Sequence, residues 1–280
     1  MVKGIFMKFD VDKLKEELDN LVQAGWLEKF NIDNFIENIK DIEFTSPNIE
    51  DVFNAFKIGE NNSVIKPKDV RILILGQDPY PETGKAHGYA FSVLQKYTDE
   101  HGIDDSLSNI FKAIKAYKNN CNFDEVNINK IQNTDLKDWA TENKVLLLNT
   151  VLTYEKTKLY ENIDKKTKEQ QKKIKNAQSR HYTKHKNIWQ PLFNAIIKTI
   201  ITYSNNKIFI FIWGQKAQKA YNNAVKGIII NTEKIKKYET SHPSNLGVRK
   251  GFSDDAPNHF KVCDEFLGED IWKNFPENNQ

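Results

Sequence analysis

Val70-Arg71-Ile72-Leu73-Ile74-Leu75, followed at once by Gly76-Gln77-Asp78-Pro79-Tyr80-Pro81, is the stretch on which the fold turns. A nearly unbroken apolar run of this length predicts a strand covered on both faces, as in a parallel sheet. Gly76 stops it, and the polar residues beyond are therefore placed at a carboxyl end. Val145-Leu146-Leu147-Leu148 and Ile208-Phe209-Ile210-Phe211-Ile212-Trp213 repeat the pattern, and Ile228-Ile229-Ile230 supplies a fourth run after Gly227. Helical spacing fills the intervals. Val11, Leu14, Leu18, Leu21 and Val22 share one face within residues 10–40, and Ser106–Lys118, Asn187–Thr202 and Gln215–Ala224 are further helical candidates. Short buried strands alternating with helices predict an α/β fold, a central four-stranded parallel sheet flanked by helices in three layers. Ligands of such open sheets bind beyond the carboxyl ends of the strands. The residues after each run are thus the functional candidates.

The 280 residues are 39% hydrophobic and 28% charged, which suits a single domain spanning 1–280. No apolar run approaches the eighteen or so residues that span a bilayer, and the first residues lack a signal-peptide h-region, so no membrane association is expected. Cys121 and Cys263 are too few for a disulfide framework or a zinc site, which points to a reduced, intracellular compartment. The net charge of +3 hides an uneven distribution. Residues 154–188 hold ten Lys and one Arg against Glu155, Glu161, Asp164 and Glu169, a local surplus of seven. Such a run is either a solvated, partly helical excursion or a nucleic-acid contact.

Three clusters follow the strands. The first continues into Gly84-Lys85-Ala86-His87-Gly88-Tyr89-Ala90-Phe91-Ser92-Val93; the second is Asn149-Thr150-Val151-Leu152-Thr153; the third is Ser241-His242-Pro243-Ser244-Asn245-Leu246-Gly247. Each alone has a plain structural reading, because Asp-Pro-Tyr favours a turn and His-Pro-Ser can simply punctuate a loop. Together, and in this order, they resemble the family 1 uracil-DNA glycosylases. The likeness extends to Asp51-Val52-Phe53-Asn54-Ala55-Phe56, Ser106-Leu107-Ser108-Asn109-Ile110, Leu136-Lys137-Asp138-Trp139-Ala140, Trp213-Gly214-Gln215-Lys216-Ala217-Gln218 and Asn258-His259-Phe260. It covers roughly residues 45–153 and 188–275.

The resemblance implies an enzyme that flips uracil out of DNA and hydrolyses its glycosidic bond, leaving an abasic site. It assigns Asp78 to the carboxylate that stabilises the sugar cation and orients water, and His242 to a neutral donor on uracil O2. It assigns Asn149 to reading the base edge, Phe91 to stacking, Tyr80 to excluding a C5 methyl, and Gln77 to helping hold the base. Leu246 matches an apolar wedge, and Ser92, Ser244, Gly214 and Gln215 match phosphate contacts. It implies no metal or organic cofactor, DNA as partner, a monomer, and susceptibility to a proteinaceous glycosylase inhibitor.

The sequence departs from the family pattern in three places. Pro81 stands where a His usually follows the Tyr. Asp104-Asp105 replaces a Pro-rich approach to Ser106, placing negative charge near expected phosphates. The basic segment is far longer than the usual connection, and His185 with Trp189 resembles a Ser-His…Gly-Trp element whose spacing is short by one. Two other readings stay open: a glycosylase for another or modified pyrimidine, since a rotated Asn149 amide could serve cytosine, and an inactive DNA-binding protein of the same fold.

Overall fold

The computed structural model describes residues 6–128, 133–156, 166–203, 206–253 and 258–273. Among the described residues are six strands and eight α-helices. Helices α1 (Val11–Gln23) and α2 (Ile32–Ile39) come first, then a small antiparallel pair, β1 (Lys57–Ile58) and β2 (Ser63–Val64). The main sheet uses β3 (Ile72–Gly76), β4 (Val145–Asn149), β5 (Ile208–Trp213) and β6 (Ile235–Thr240) in the order β4-β3-β5-β6. All three pairings are parallel, as the apolar runs implied. Helices α3 (Gln95–His101), α4 (Asp105–Asn119) and α5 (Lys137–Asn143) lie between β3 and β4 in the chain. Helix α6 (Lys168–Tyr203) leads to β5, α7 (Gln215–Ala224) to β6, and α8 (His259–Leu267) follows.

Strand alternation splits the core into two layers. Leu73 and Leu75 of β3 join one apolar cluster with α1, α2, α6 and α7, while Ile72 and Ile74 join a second with α4, α5 and α8. Side chains of β3, β4 and β5 are buried on both faces, so these strands read as continuous apolar runs.

The fourth strand corrects the sequence expectation. Ile228-Ile229-Ile230 is a connection, with Ile229 98% exposed, and the strand is Ile235–Thr240. That strand lies at the sheet edge and exposes Lys236 and Lys237, so its sequence alternates and offers no apolar run.

The helix expected over 187–202 begins nineteen residues earlier, so much of the basic segment is its first half. Residues 157–165, including Lys158, Glu161, Asp164 and Lys165, lie outside the described residues. Thr153 holds the helix to the strand end, because its Oγ1 accepts from the Trp189 indole at 2.7 Å and meets His185 Nδ1 at 2.8 Å. His185 and Trp189 thus occupy one buried polar junction. Burial, chiefly, with the charges of Lys184 and His181, lowers the His185 pKa to about 4, so the ring is neutral at pH 7. No helix among the described residues is long and apolar enough to cross a membrane.

Candidate active site

Strands β3 and β4 end side by side, with Gly76 in register with Asn149. The chain beyond Gly76 is pinned by its neighbour. Thr150 N–H donates to the Gly76 carbonyl at 3.0 Å, and the Gln77 carbonyl accepts from Val151 N–H at 3.1 Å and Thr150 Oγ1 at 2.8 Å. Asn149 is buried, and its amide fits only because residue 76 has no side chain: a Cβ there would fall 2.2 Å from Asn149 Oδ1. Gln77 Nε2 donates to Asp78 Oδ1 at 2.8 Å.

Phe91 stands on backbone that a side chain rarely tolerates, at φ 63°. Such a conformation costs on the order of 1 kcal/mol or more and persists only where the surroundings enforce it. Here Ala90 N–H donates to Leu147 O at 2.9 Å, and the Phe91 ring packs edge-on against Trp213 at 5.2 Å. The conformation turns the ring toward the space between β3 and β4 ends, where His242 lies 5.7 Å from it.

His242 comes from the loop after edge strand β6. Its Nδ1 accepts from Ser244 N–H at 3.1 Å. A nitrogen that accepts carries no proton, so the neutral ring carries its hydrogen on Nε2. Burial, the largest effect, and the Lys216 charge lower the His242 pKa against the opposing pull of Asp104. The ring is therefore a neutral donor. Gly214 leaves room for it, since a Cβ there would sit 3.2 Å from His242 Cβ. The loop is fastened to α4: Asn109 Nδ2 donates to Pro243 O at 2.7 Å and Asn245 Nδ2 to Asp105 Oδ2 at 2.5 Å. At its tip Leu246 is 86% exposed.

Asp78, Tyr80, Phe91, Asn149 and His242 line one cavity of about 230 Å³. Burial raises the Asp78 pKa to about 6, and Lys216 and Gln77 limit the rise. At neutral pH this carboxylate is mostly ionised and thinly solvated, a state that stabilises a nearby cation strongly. A second, open groove of about 540 Å³ shares Gln77 and His242 with the cavity and adds Gly214, Gln215, Lys216, Ser244, Leu246 and Lys250.

Ser92 departs from its expected place. It is fully enclosed, its Oγ 2.7 Å from His87 Nε2 and accepting from Leu136 N–H at 2.8 Å, so it reaches no surface phosphate in this conformation. The other ten expected residues line the cavity or the groove.

The structure adds contacts that sequence reasoning did not predict. Tyr80 donates its hydroxyl to Asp104 Oδ1 at 3.2 Å, and Lys85 lies 4.2 Å above the Tyr80 ring while pairing with Asp104 at 2.9 Å. Burial alone would raise Asp104, but Lys85, Ser106 N–H and Tyr80 hold it below its usual value. The negative charge of Asp104 is thus neutralised internally. Pro81 lines the cavity without offering a proton or a hydrogen bond. Tyr182 of α6 lies near the Thr150 side chain and has Lys216 Nζ 4.2 Å over its ring. No local signal marks these pairs, whose partners lie 5 to 34 residues apart in the chain.

The family model described as "Uracil DNA glycosylase superfamily" matches residues 63–268. A uracil-DNA glycosylase of Borrelia turicatae is 32% identical over 266 residues, covering 92% of this chain and 95% of that protein. One from Borrelia duttonii is 33% identical over 239 residues, with 85% and 83% covered. One from Francisella tularensis subsp. holarctica is 32% identical over 227 residues, with 80% and 79% covered.

Proposed function

From the premise that this chain belongs to the uracil DNA glycosylase superfamily and, as a repair enzyme, removes uracil from DNA by hydrolysing its N-glycosyl bond, we propose how the site does so. The nucleotide swings out of the stack and its base enters the 230 Å³ cavity. Leu246, already exposed, fills the vacated step as an apolar wedge. Phe91 stacks on the base, and the Asn149 amide accepts from N3–H and donates to O4. The Tyr80 ring, held by Asp104 and Lys85, blocks the space at C5. Gln77 helps hold the base. Gly214, Gln215 and Ser244 contact phosphates along the groove, aided by the free N–H groups at the start of α7.

Bond cleavage follows from the two polarised walls. The N1–C1′ electron pair departs with uracil, whose O2 gains charge that the His242 Nε2–H stabilises. The sugar becomes cationic at C1′, and the Asp78 carboxylate stabilises it and orients a water. The water oxygen bonds C1′ while its proton passes to Asp78, leaving an abasic sugar and a uracil anion that takes a proton from solvent. A fixed donor facing developing negative charge is worth about 10²–10³ in rate. Water and the side chains above account for every proton and electron pair.

The single observation that carries this reading is the His242 tautomer, fixed by Ser244 N–H, in the cavity that also holds Asp78 and Asn149. Duplexes carrying uracil, thymine, cytosine or a modified cytosine, incubated with the protein and then cleaved at abasic sites with alkali, test it. Cleavage at uracil alone is expected. Preferential release of a modified cytosine would overturn the substrate assignment, and cleavage of none would overturn the catalytic one.

A further inference from the structure

The first half of α6 carries an ordered charge pattern. At 3.6 residues per turn, Lys168, Lys172, Lys175, Ser179 and Tyr182 follow one another at intervals of four, three, four and three residues. They fall within an arc of about 80° on the helix surface. Lys173, Arg180 and Lys184 project roughly from the opposite side, and Glu169 lies on the flank next to them, about 100° from the middle of the stripe. Lys168, Lys172 and Lys175 are exposed, and none has a carboxylate partner among the described residues. The buried side of the helix lies between the two, marked by Ile174 and His185.

Where this stripe ends is what gives it direction. Tyr182 lies close enough to Thr150, the residue after Asn149, and to Asp78 for both to act on its hydroxyl, whose pKa is pushed up to about 12 by burial, the largest cause, and by the Asp78 charge. Lys216 lies over the same ring and lines the groove that holds Gly214, Gln215 and Ser244. The lysine face of α6 therefore runs continuously into the phosphate groove, and it leads away from the site for fourteen residues. That is about 21 Å, or roughly six base pairs.

We propose that Lys168, Lys172 and Lys175 form a rail for the sugar–phosphate backbone of the DNA whose flipped nucleotide occupies the site. The proposal rests on the excision reading of that site and extends its footprint along one flank of the duplex. The stripe is cationic on the side that faces the groove, and the acidic residue of this half-helix lies outside it, on the flank. Such a surface complements a polyanion and reads no sequence. It holds the strand through charge alone, so its contribution is steep in salt.

The test compares two charge-matched triple variants, Lys168→Gln/Lys172→Gln/Lys175→Gln and Lys173→Gln/Arg180→Gln/Lys184→Gln. Binding to uracil-containing duplexes is measured across a salt series, with twelve-base-pair extensions on the 5′ side only, the 3′ side only, or neither. Three phosphate contacts contribute about 2.7 to the slope of log affinity against log salt. The stripe variant should lose most of that slope on one extended duplex and none on the unextended one. The opposite-face variant should keep the wild-type slope. Lys168→Arg/Lys172→Arg/Lys175→Arg should also keep it, which separates charge from helix damage. Excision at saturating unextended duplex should match wild type in every variant. Equal losses from both faces, or no loss on either extension, would overturn the rail. Failure of the wild type to release uracil would instead count against the site, since the binding comparison does not depend on cleavage.

Discussion

Gly76 and Asn149 are a matched pair: the side-chain amide of Asn149 occupies the volume that a Cβ on Gly76 would need, with Oδ1 2.2 Å from that position. They sit in register at the ends of adjacent parallel strands, so neither backbone can retreat without breaking the β3–β4 pairing. The base-reading residue is thus oriented by an absence.

Gly76→Ala should therefore damage recognition more than folding. The added methyl displaces the amide, which loses its aim at the base edge. Uracil excision should fall at least about ten-fold, the factor that 1.4 kcal/mol of lost transition-state binding produces. Steady-state kinetics with a thermal melt check it. Wild-type activity with an intact melt would show that the amide needs no such space.

Asp78 links activity to pH in a defined direction. Burial raises its pKa to about 6, and the reaction uses its ionised form. Activity should therefore fall as pH drops through about 6. The linkage to stability has the opposite sense. A carboxyl whose folded pKa lies above its unfolded value near 4 favours the fold most when protonated, and that contribution is lost as pH rises from about 4 through 6. Asp78→Asn should lose about 10²–10⁴-fold in turnover and yet melt at a higher temperature at pH 7. Single-turnover rates and calorimetry measure the two effects. A lower melting temperature would contradict the burial argument.

His242 should be neutral at pH 7 with its proton on Nε2. Nitrogen-15 spectra of the ring should show one acceptor-type and one pyrrole-type nitrogen, the first assigned to Nδ1. Burial keeps its pKa low, so the pattern should persist below the titration of an exposed histidine. His242→Ala should cost about 10²–10³ in turnover. An imidazolium signal at pH 7 would be inconsistent with the donor described.

Tyr80 is steadied from outside the cavity by Asp104, which also caps α4 through Ser106 N–H at 2.9 Å. Asp104→Ser keeps a capping oxygen but withdraws the partner of the Tyr80 hydroxyl and of Lys85. The ring then gains freedom beside C5. The ratio of uracil to thymine release should fall by about ten-fold or more, within the range that one methyl commands. Tyr80→Ala should lower it further. An unchanged ratio in both would remove the ring from the thymine barrier.

Much of this arrangement is legible in sequence because the relevant signals are local. Strands buried on both faces announce themselves as apolar runs, and their carboxyl ends then locate Asp78 and Asn149. Strand β6 does not, because Lys236 and Lys237 face water and the nearby isoleucine run is a decoy. The Tyr80–Asp104–Lys85 cluster and the meeting of Tyr182 with Lys216 are formed by tertiary packing, so no periodicity encodes them. Ser92 was misplaced for a related reason: a serine beside the site can serve either phosphate or the interior, and its burial decides for His87.

The placement of His242 beyond an edge strand sets an order of failure. Asp78 hangs from β3, paired on both sides, and Asn149 from β4, an edge strand buried on both faces, whereas His242 hangs from β6, an edge strand whose side chains are mostly exposed or half-buried. An edge strand with few buried side chains opens in local fluctuations more readily than one enclosed on both faces. As temperature or denaturant rises, the leaving-group side of the site should drift from the sugar side while the fold persists. Inactivation would then precede unfolding, and the molecule would hold a base it can no longer release from its sugar.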